Sequence, residues 1–256
     1  MTDRPIIFSG PMVRALLAGR KTQTRRLLSR ARVFATPERP AFTLAAEHMA
    51  RALQGASGFR HLDGTGWFWE ADAFEWQAPA ERTGWMANIG YAAGDRLYVR
   101  ESYYQQGHWE QAAGVVTKGG RPKWKFVPDD DAIRFDPPIA FRKARHSADP
   151  GTTAWHRRLA RFMPRSASRL TLIVEDVRVE QLQLISEADA QAEGVDRLVW
   201  DGDGGWYASD AGTHYCGFAG IWQHLHGAES WDANPFVVPV TFRVERGNID
   251  QIGRTA

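Results

Sequence analysis

Apolar residues at the start of the chain follow first a strand-like and then a helix-like pattern. Pro5-Ile6-Ile7-Phe8 is a short apolar run, and Ser9-Gly10-Pro11 places a serine and a proline where helices commonly begin. Met12, Ala15 and Leu16 then share one face of a helix. Gly19 follows, and glycine tolerates the left-handed conformation that often ends a helix. The pattern predicts a strand, a helix that ends at Gly19, and then an extended segment.

Alternating apolar residues in three later segments predict further strands. The run from Arg96 to Arg100 alternates after a predicted turn at Gly94-Asp95. The alternation that begins at Leu170 changes phase at Glu175-Asp176, which indicates a bulge or a tight turn. The segment 236–244 alternates most regularly, and Pro239 within it indicates an edge strand because proline cannot donate to a neighbouring strand. These segments predict a mostly antiparallel β core.

Two more helices complete the expected order of elements. Ser186-Glu187-Ala188-Asp189 approximates a capping box and predicts a helix that ends at Gly194. A second helix is expected from Gly217 to His226, before Gly227. The order strand, helix, strands, helix, helix, strand differs from a βαβ repeat. We therefore expect an α+β fold in a single domain over residues 1–256.

Two long segments lack sustained periodicity and are interpreted as insertions into this core. Residues 105–165 are rich in glycine, proline and charge, and we expect them to be irregular and partly mobile. Residues 30–92 contain a group of aromatic residues that can stack on bases or form a satellite core. This group consists of Trp67, Phe68, Trp69, Phe74, Trp76 and Trp85.

Positive charge is concentrated near the amino terminus, although the net charge of the chain is only +2. Between Asp3 and Glu38 there is no acidic residue, and residues 14–32 hold Arg14, Arg20, Lys21, Arg25, Arg26, Arg30 and Arg32. Clustered guanidinium groups suit phosphate or carboxylate ligands, but such a run can also be a solvated face. A second basic region holds His156, Arg157, Arg158, Arg161, Arg165 and Arg169. If both regions flank one cleft, RNA or DNA becomes a plausible substrate.

Composition narrows the classes of protein that the chain can represent. Cys216 is the single cysteine, so an intramolecular disulfide is excluded, and a reducing, cytoplasmic location is expected. The start has no long apolar segment, and no run of about eighteen apolar residues occurs, so no membrane association is expected. His214, Cys216, His224 and His226 do not have a standard zinc-ligand spacing, and we expect neither a metal nor a cofactor.

Several motifs resemble one known family. The run from Leu17 to Arg26, the segment Gly94 to Val99, the predicted helix from Ile185 to Gly194 and the last strand resemble an ASCH domain of the PUA-like superfamily. More narrowly, Gly19-Arg20-Lys21-Thr22-x-Thr24-x-Arg26 is similar to the signature of the small bacterial N4-acetylcytidine amidohydrolases. The enlarged form, with Trp231 to Pro235 before the last strand, also resembles ASCH proteins of phages and prophages. The resemblance implies a small, mostly antiparallel β-barrel with a cleft, flanking helices and long insertions.

The resemblance also implies domain boundaries and site residues. Core pieces are expected at about 5–28, 94–104, 166–194 and 217–245, and insertions at about 30–92, 105–165 and 196–216. The catalytic set of the amidohydrolases corresponds to Lys21, Thr24 and Glu193. As substrate-binding candidates we add Thr22, Arg26, Arg100, Glu101 and Arg165.

The chemistry of the candidate set fits amide hydrolysis. Thr24 can attack or hold water, Lys21 can act as a base if desolvation and neighbouring cations keep part of it neutral, and Glu193 can donate a proton. In a flat strand Lys21 and Thr24 point to opposite faces, so a bend near Lys21 is required; in a straight segment, Thr22 or a water becomes the better partner.

The leading expectation is therefore a hydrolase that removes an N4-acyl group from cytidine or a related modified nucleoside. One alternative is an ASCH module that binds RNA or single-stranded DNA, with the basic residues on phosphates and no bond broken. The other is a metal-independent ribonuclease in which Lys21 stabilises charge on the phosphate.

Overall fold

The fold is α+β, with a curled, mostly antiparallel sheet and few helices, as expected. The chain divides into two units, which are described separately. Unit 1 comprises Met1–Thr2, Ala15–Asp95 and Ile173–Val244, and unit 2 comprises Asp3–Arg14, Arg96–Leu172 and Glu245–Ala256. The computed structural model describes residues 2–28, 31–33, 42–44, 56–62, 66–71, 85–87, 90–146, 148–200 and 205–253.

Three strands of unit 1 carry the candidate site. The last and longest of them, Phe236–Arg246, pairs antiparallel with Gln23–Leu27 and with Glu180–Gln181. The strand Leu170–Val177 is divided between the two units, and its part in unit 1 begins at Ile173. We number these four strands β2 (Gln23–Leu27), β12 (Leu170–Val177), β13 (Glu180–Gln181) and β16 (Phe236–Arg246).

The predicted helices are present, with small changes at their ends. Helix α1 spans Gly10–Leu17, and Gly19 after it has a φ of +70°, in the left-handed region. Helix α2 spans Glu187–Ala192, and the Ser186 hydroxyl accepts a hydrogen bond from the Asp189 amide at 3.1 Å, as the capping box predicts. Helix α3 spans His214–His226 and starts earlier than predicted because Thr213 caps it.

The apolar core of unit 1 lies where α2 and α3 meet the start of β16. Its buried residues come from both helices and from the segments before and after α2, which brings the carboxyl end of α2 against the start of β2. The core consists of Leu182, Ile185, Ala190, Val195, Phe218, Trp222 and Val237.

The prediction that Pro239 marks an edge strand is wrong. β16 has β2 on one side, where Pro239 stands opposite Arg25, and β13 on the other. Proline is tolerated here because Pro239 faces the interval between β12 and β13, where its carbonyl accepts from the Arg178 amide at 3.2 Å. No ladder partner therefore needs the N–H that proline lacks.

The first insertion contains strands where little periodicity was found. A five-stranded sheet in the order β4-β3-β7-β6-β5 is formed by β3 (Ala31–Val33), β4 (Phe42–Leu44), β5 (Ala56–Leu62), β6 (Gly66–Ala71) and β7 (Trp85–Ala87). The pairs are antiparallel. Phe74 and Trp76 lie outside the described residues, as do the side chains of the other aromatics of this group, so the two interpretations, base stacking and a satellite core, both stay predictions. Residues 196–216 contain the short hairpin of β14 (Leu198–Trp200) and β15 (Trp206–Ala208).

Unit 2 is built on a parallel pair and a long antiparallel hairpin. Its strand β1 (Asp3–Ile7) pairs in parallel with β8 (Arg96–Arg100). The hairpin joins β9 (Tyr103–Val116) to β10 (Pro122–Arg134), and β11 (Ala154–Arg158) pairs with the other edge of β9. The expectation that 105–165 is irregular is therefore wrong for 105–134 and 154–158, whereas 135–146 and 148–153 form neither a helix nor a strand. The alternation is obscured because much of the hairpin is exposed on both faces and carries register shifts, as between Pro128 and Ile133.

Among the described residues, no helix is both long enough and apolar enough to cross a membrane.

Candidate functional site

Lys21 lies in the short segment between α1 and β2, and main-chain hydrogen bonds fix its position. The Lys21 amide donates to the Ala15 carbonyl at 3.2 Å, and the Thr22 amide donates to the Ala192 carbonyl at 2.8 Å. The Lys21 side chain has 0% exposure. β2 begins only at Gln23, so Lys21 precedes the strand, and its side chain points into the interior of unit 1.

Lys21 and Glu193, far apart in the sequence, form a buried ion pair. Lys21 Nζ donates to Glu193 Oε2 at 2.7 Å and to the Glu193 carbonyl at 2.9 Å. Glu193 is the C-cap residue of α2. The next residue, Gly194, has a φ of +75°, and a Cβ there would lie 2.8 Å from Lys21 Cβ. Glycine is needed at this position for both conformation and space.

Arg25 extends the pair into a network. Its NH1 lies 3.4 Å from Glu193 Oε1, and its NH2 lies 2.7 Å from Glu180 Oε1 and 3.3 Å from Asp189 Oδ2. The guanidinium is also 5.7 Å from the centre of the Phe218 ring, which packs against it from α3. Arg25 thus joins three carboxylates that come from two different elements.

Arg178 closes the network from the strand side. It contacts Glu180 Oε2 at 3.1 Å and Asp189 Oδ2 at 2.8 Å. We call these six charged residues, three cations and three anions, the charge cluster; on its exposed side Arg178 also lies 3.7 Å from Asp176. The charge cluster consists of Lys21, Arg25, Arg178, Glu180, Asp189 and Glu193.

The buried position of Lys21 lowers its pKa and so favours the neutral form of its side chain. Burial lowers the pKa of Lys21 below 10.5; Glu193 opposes this, and Arg26 and Arg25 lower the pKa further. Burial acts to raise the pKa of Asp189, but Arg178 and Arg25 outweigh it and hold that pKa below its usual value. Lys21 is therefore the one of these two groups whose neutral form the interior favours.

The predicted hydroxyl residues have different positions. Thr24 is buried in β2 opposite Val240, on the face away from Gln23 and Arg25, and it makes no hydrogen bond to Lys21 or Glu193 in the described part of the chain. Thr22 is exposed and precedes the strand. Arg26 is half-buried and close enough to lower the pKa of Lys21. The structure brings Lys21 and Glu193 together and does not add the Thr24 hydroxyl to them.

Three predicted substrate-binding residues belong to unit 2 and have partners there. Arg100 Nε donates to the Met163 carbonyl at 2.8 Å. Glu101 accepts two hydrogen bonds from Arg169, at 2.8 and 3.0 Å. Arg165 pairs with Asp250 and with Asp3. Their assignment to a substrate stays a prediction.

An open cleft of about 920 Å³ lies in unit 1 beside the charge cluster. The neighbours of Lys21 and Glu193 in the chain line this cleft, but the Lys21 and Glu193 side chains do not, because they point to the interior side of their backbones. Within the cleft, Arg20 NH1 lies 3.4 Å from Asp196 Oδ1. The polar residues that line the cleft are Arg20, Thr22, Gln191, Asp196, Arg197, Ser209, Asp210 and His214.

Sequence reasoning missed most of the charge cluster. A signal for Arg25 existed, since Gln23 and Arg25 share the strand face opposite Thr24, and a buried arginine requires acidic partners. Asp189 lies in the predicted capping box, where its amide donates to the Ser186 hydroxyl while its carboxylate contacts Arg25 and Arg178. Glu180 and Arg178 gave no signal before the pairing with β16 was known.

The histidines of α3 do not form a metal site with their neighbours. His214 Nδ1 lies 3.0 Å from Glu187 Oε1, and Glu187 also caps the first turn of α3 by accepting from the His214 and Tyr215 amides. Within the described ranges no group of three His, Cys, Asp or Glu residues is arranged to hold a metal ion.

Comparisons of the chain with protein-family models, with curated proteins and with solved structures found no match.

Proposed function

We propose that this chain is a hydrolase of modified nucleosides that removes an N4-acyl group from cytidine or a related base, on an ASCH-type, PUA-like fold. The observation that carries the proposal is the 2.7 Å contact between Lys21 Nζ and Glu193 Oε2. These are two of the three residues that the motif resemblance selects, and they come from segments 172 residues apart. A buried, charge-paired lysine with a lowered pKa is a common feature of functional sites.

The pair has the groups that amide hydrolysis requires. Water oxygen adds to the acyl carbon, the bond from that carbon to N4 breaks, and N4 leaves with a proton. In its neutral form Lys21 takes the proton of the attacking water or hydroxyl. Glu193, in contact with Lys21, passes a proton to N4, and Arg25 fixes the orientation of the carboxylate. Because Lys21 has 0% exposure, turnover requires the pair to open towards the substrate.

Two threonines can supply the hydroxyl for catalysis, and a matched pair of valine variants distinguishes them. Thr24 is the residue that the resemblance selects, whereas Thr22 is the threonine that lines the cleft. Valine has nearly the shape of threonine without the hydroxyl. If Thr24 acts in catalysis, Thr24→Val loses turnover and Thr22→Val keeps it; the reverse result assigns the role to Thr22.

The direct test measures release of cytidine from N4-acetylcytidine. Lys21→Met and Glu193→Gln keep side-chain volume, and each is expected to lower turnover about 100-fold or more, the usual contribution of a positioned acid or base. Asp3→Asn is the control, since it removes a half-buried carboxylate of unit 2 that pairs with Arg96 and Arg165. A wild-type protein that is as inert as the variants, or variants as active as the wild type, would remove the proposal.

A second candidate function is favoured by the burial of Lys21. If the charge cluster only holds α2 against β2, the cations exposed at the cleft are Arg197 and Arg20, and a phosphate on Arg20 replaces its contact with Asp196. The chain would then be a nucleic-acid-binding module without nucleoside turnover. Its binding to single-stranded RNA would weaken with salt and with Arg20→Gln and Arg197→Gln. Recovery of shortened RNA after incubation would identify a ribonuclease instead.

A further inference from the structure

One face of the three-stranded sheet in unit 2 carries arginines stacked on aromatic rings. Trp109 and Phe126 are register partners on β9 and β10, and Trp124 lies two residues before Phe126 on the same face. Arg158, on β11, points to this face as well, because it is two residues from His156, which contacts both Trp109 and Phe126. The arginine–aromatic face consists of Trp109, Trp124, Phe126, Arg145, Arg158, Arg161 and Phe162.

The stacking distances are those of close cation–π contacts. The Arg158 guanidinium carbon lies 4.0 Å from the centre of the Phe126 ring, 5.3 Å from Trp109 and 5.4 Å from Phe162. Arg145 lies 4.3 Å from the Trp124 ring. Arg161 lies 4.8 Å from the Phe162 ring, and Phe162 keeps 51% of its surface exposed. Rings and guanidinium groups therefore alternate along a partly exposed surface.

The cations of this face have no carboxylate partner. In the described part of the chain, Arg145, Arg158 and Arg161 form no ion pair, although Arg165 and Arg169, a few residues later, are paired with Asp250 and Glu101. The carboxylate of Glu110, on the opposite face of β9, is occupied by His108 and Lys125. The second basic region of the sequence is thus divided into a paired part and an unpaired part.

Two buried polar atoms under the face also lack protein acceptors. His156 is 1% exposed, and its Nδ1 accepts from Trp109 Nε1 at 3.4 Å, so its neutral ring carries the hydrogen on Nε2. Neither His156 Nε2 nor Arg158 Nε has a hydrogen-bond partner in the described part of the chain. Both atoms are enclosed by protein, so contacts to a ligand fall to the accessible rings and guanidinium groups of the face.

We propose that the arginine–aromatic face binds single-stranded nucleic acid, with phosphates on Arg145, Arg158 and Arg161 and bases stacked on Phe162 and the neighbouring tryptophans. The combination of unpaired cations with exposed rings fits a ligand that alternates charge and planar bases. A duplex fits less well because its bases are stacked on one another and cannot reach the rings. This surface belongs to unit 2 and does not depend on the function proposed for Lys21 and Glu193.

The test is fluorescence polarisation with labelled single-stranded RNA, single-stranded DNA and a duplex of the same sequence, each about 15 nucleotides long. We expect binding of single strands in preference to the duplex. Contacts of three arginines predict a slope of about −2 for log K against log salt concentration, and Arg161→Gln should reduce that slope by about 0.7. Phe162→Ala should weaken binding roughly tenfold through lost stacking.

The variants are chosen so that misfolding does not imitate the result. Arg161 and Phe162 are exposed, and the thermal midpoints of their variants should equal that of the wild type. Lys118→Gln removes one charge from the hairpin turn, away from every ring contact described, and should leave affinity within about twofold. Arg20→Gln removes a cation from the cleft of unit 1 and leaves the arginine–aromatic face intact, so it distinguishes binding at the cleft from binding at the face. Undetectable binding of both single strands, equal binding of the duplex, or equal affinity in Phe162→Ala and Lys118→Gln would overturn the proposal.

Discussion

Removal of either partner of the Lys21–Glu193 pair should cost far more stability than removal of both. Lys21→Met leaves the Glu193 carboxylate with Arg25 NH1 at 3.4 Å, and Glu193→Met removes the carboxylate that Lys21 Nζ contacts at 2.7 Å. A buried charge that loses its partner typically costs about 3–5 kcal/mol. Each single variant is therefore expected to lose about that amount from a total that is usually 5–15 kcal/mol.

The double variant separates pairing from packing. It removes both charges, and Arg25 keeps Glu180 at 2.7 Å, so its cost should be at least about 2 kcal/mol below the sum of the single costs. Urea unfolding followed by tryptophan fluorescence gives the free energies of unfolding, and amide hydrogen exchange in α2 reports whether the loss is local to the cluster. Single variants that cost less than about 1 kcal/mol, or costs that simply add, would refute the reasoning that the pair is buried and coupled.

Three further predictions follow from the same contacts. Gly194→Ala should destabilise by about 2–4 kcal/mol through its positive φ and the close Lys21 Cβ, whereas Gly19→Ala, with a similar φ and open space, should cost about 1–2 kcal/mol; equal thermal shifts would contradict the steric argument. The pKa of Lys21 lies below 10.5 in the folded state, so its contribution to stability rises as pH increases towards 10.5, and the loss caused by Lys21→Met should be larger at about pH 9.5 than at about pH 7.5 in urea unfolding. The Arg96 guanidinium holds the pKa of Asp3 well below 3.8, so the stability difference between wild type and Asp3→Asn should shrink as acid titration passes below about pH 4; a constant difference would count against the ion pair.

Local signals predicted the elements around the candidate site well. The Ser186 cap, the glycines that follow α1 and α2, and the alternation of β16 are each decided by residues near one another in the sequence, and the structure contains all of them. The meeting of Lys21 and Glu193 was predicted only through a motif resemblance, since no local pattern relates residues 172 positions apart.

The failures have a common physical origin in non-local pairing. The edge position predicted for Pro239 is wrong because the sequence of β16 does not show the interval between β12 and β13 that accommodates the proline. The sequence of the β9–β10 hairpin shows no strand pattern because this ribbon is exposed on both sides and has no single buried face that would require apolar and polar residues to alternate. The hairpin requires glycine at position 107, since a Cβ there would lie 2.3 Å from the Val127 carbonyl oxygen on the paired strand.

The equal numbers of positive and negative groups in the charge cluster constrain how this region can diverge among descendants of the chain. A replacement that changes the formal charge of Lys21, Arg25 or Glu193, whose side chains are buried, leaves an ion in the interior without its partner, so neutral drift at these three positions passes through paired exchanges, such as Lys21 with Glu193. Sequences that diverge from this one should therefore gain or lose these charges two at a time.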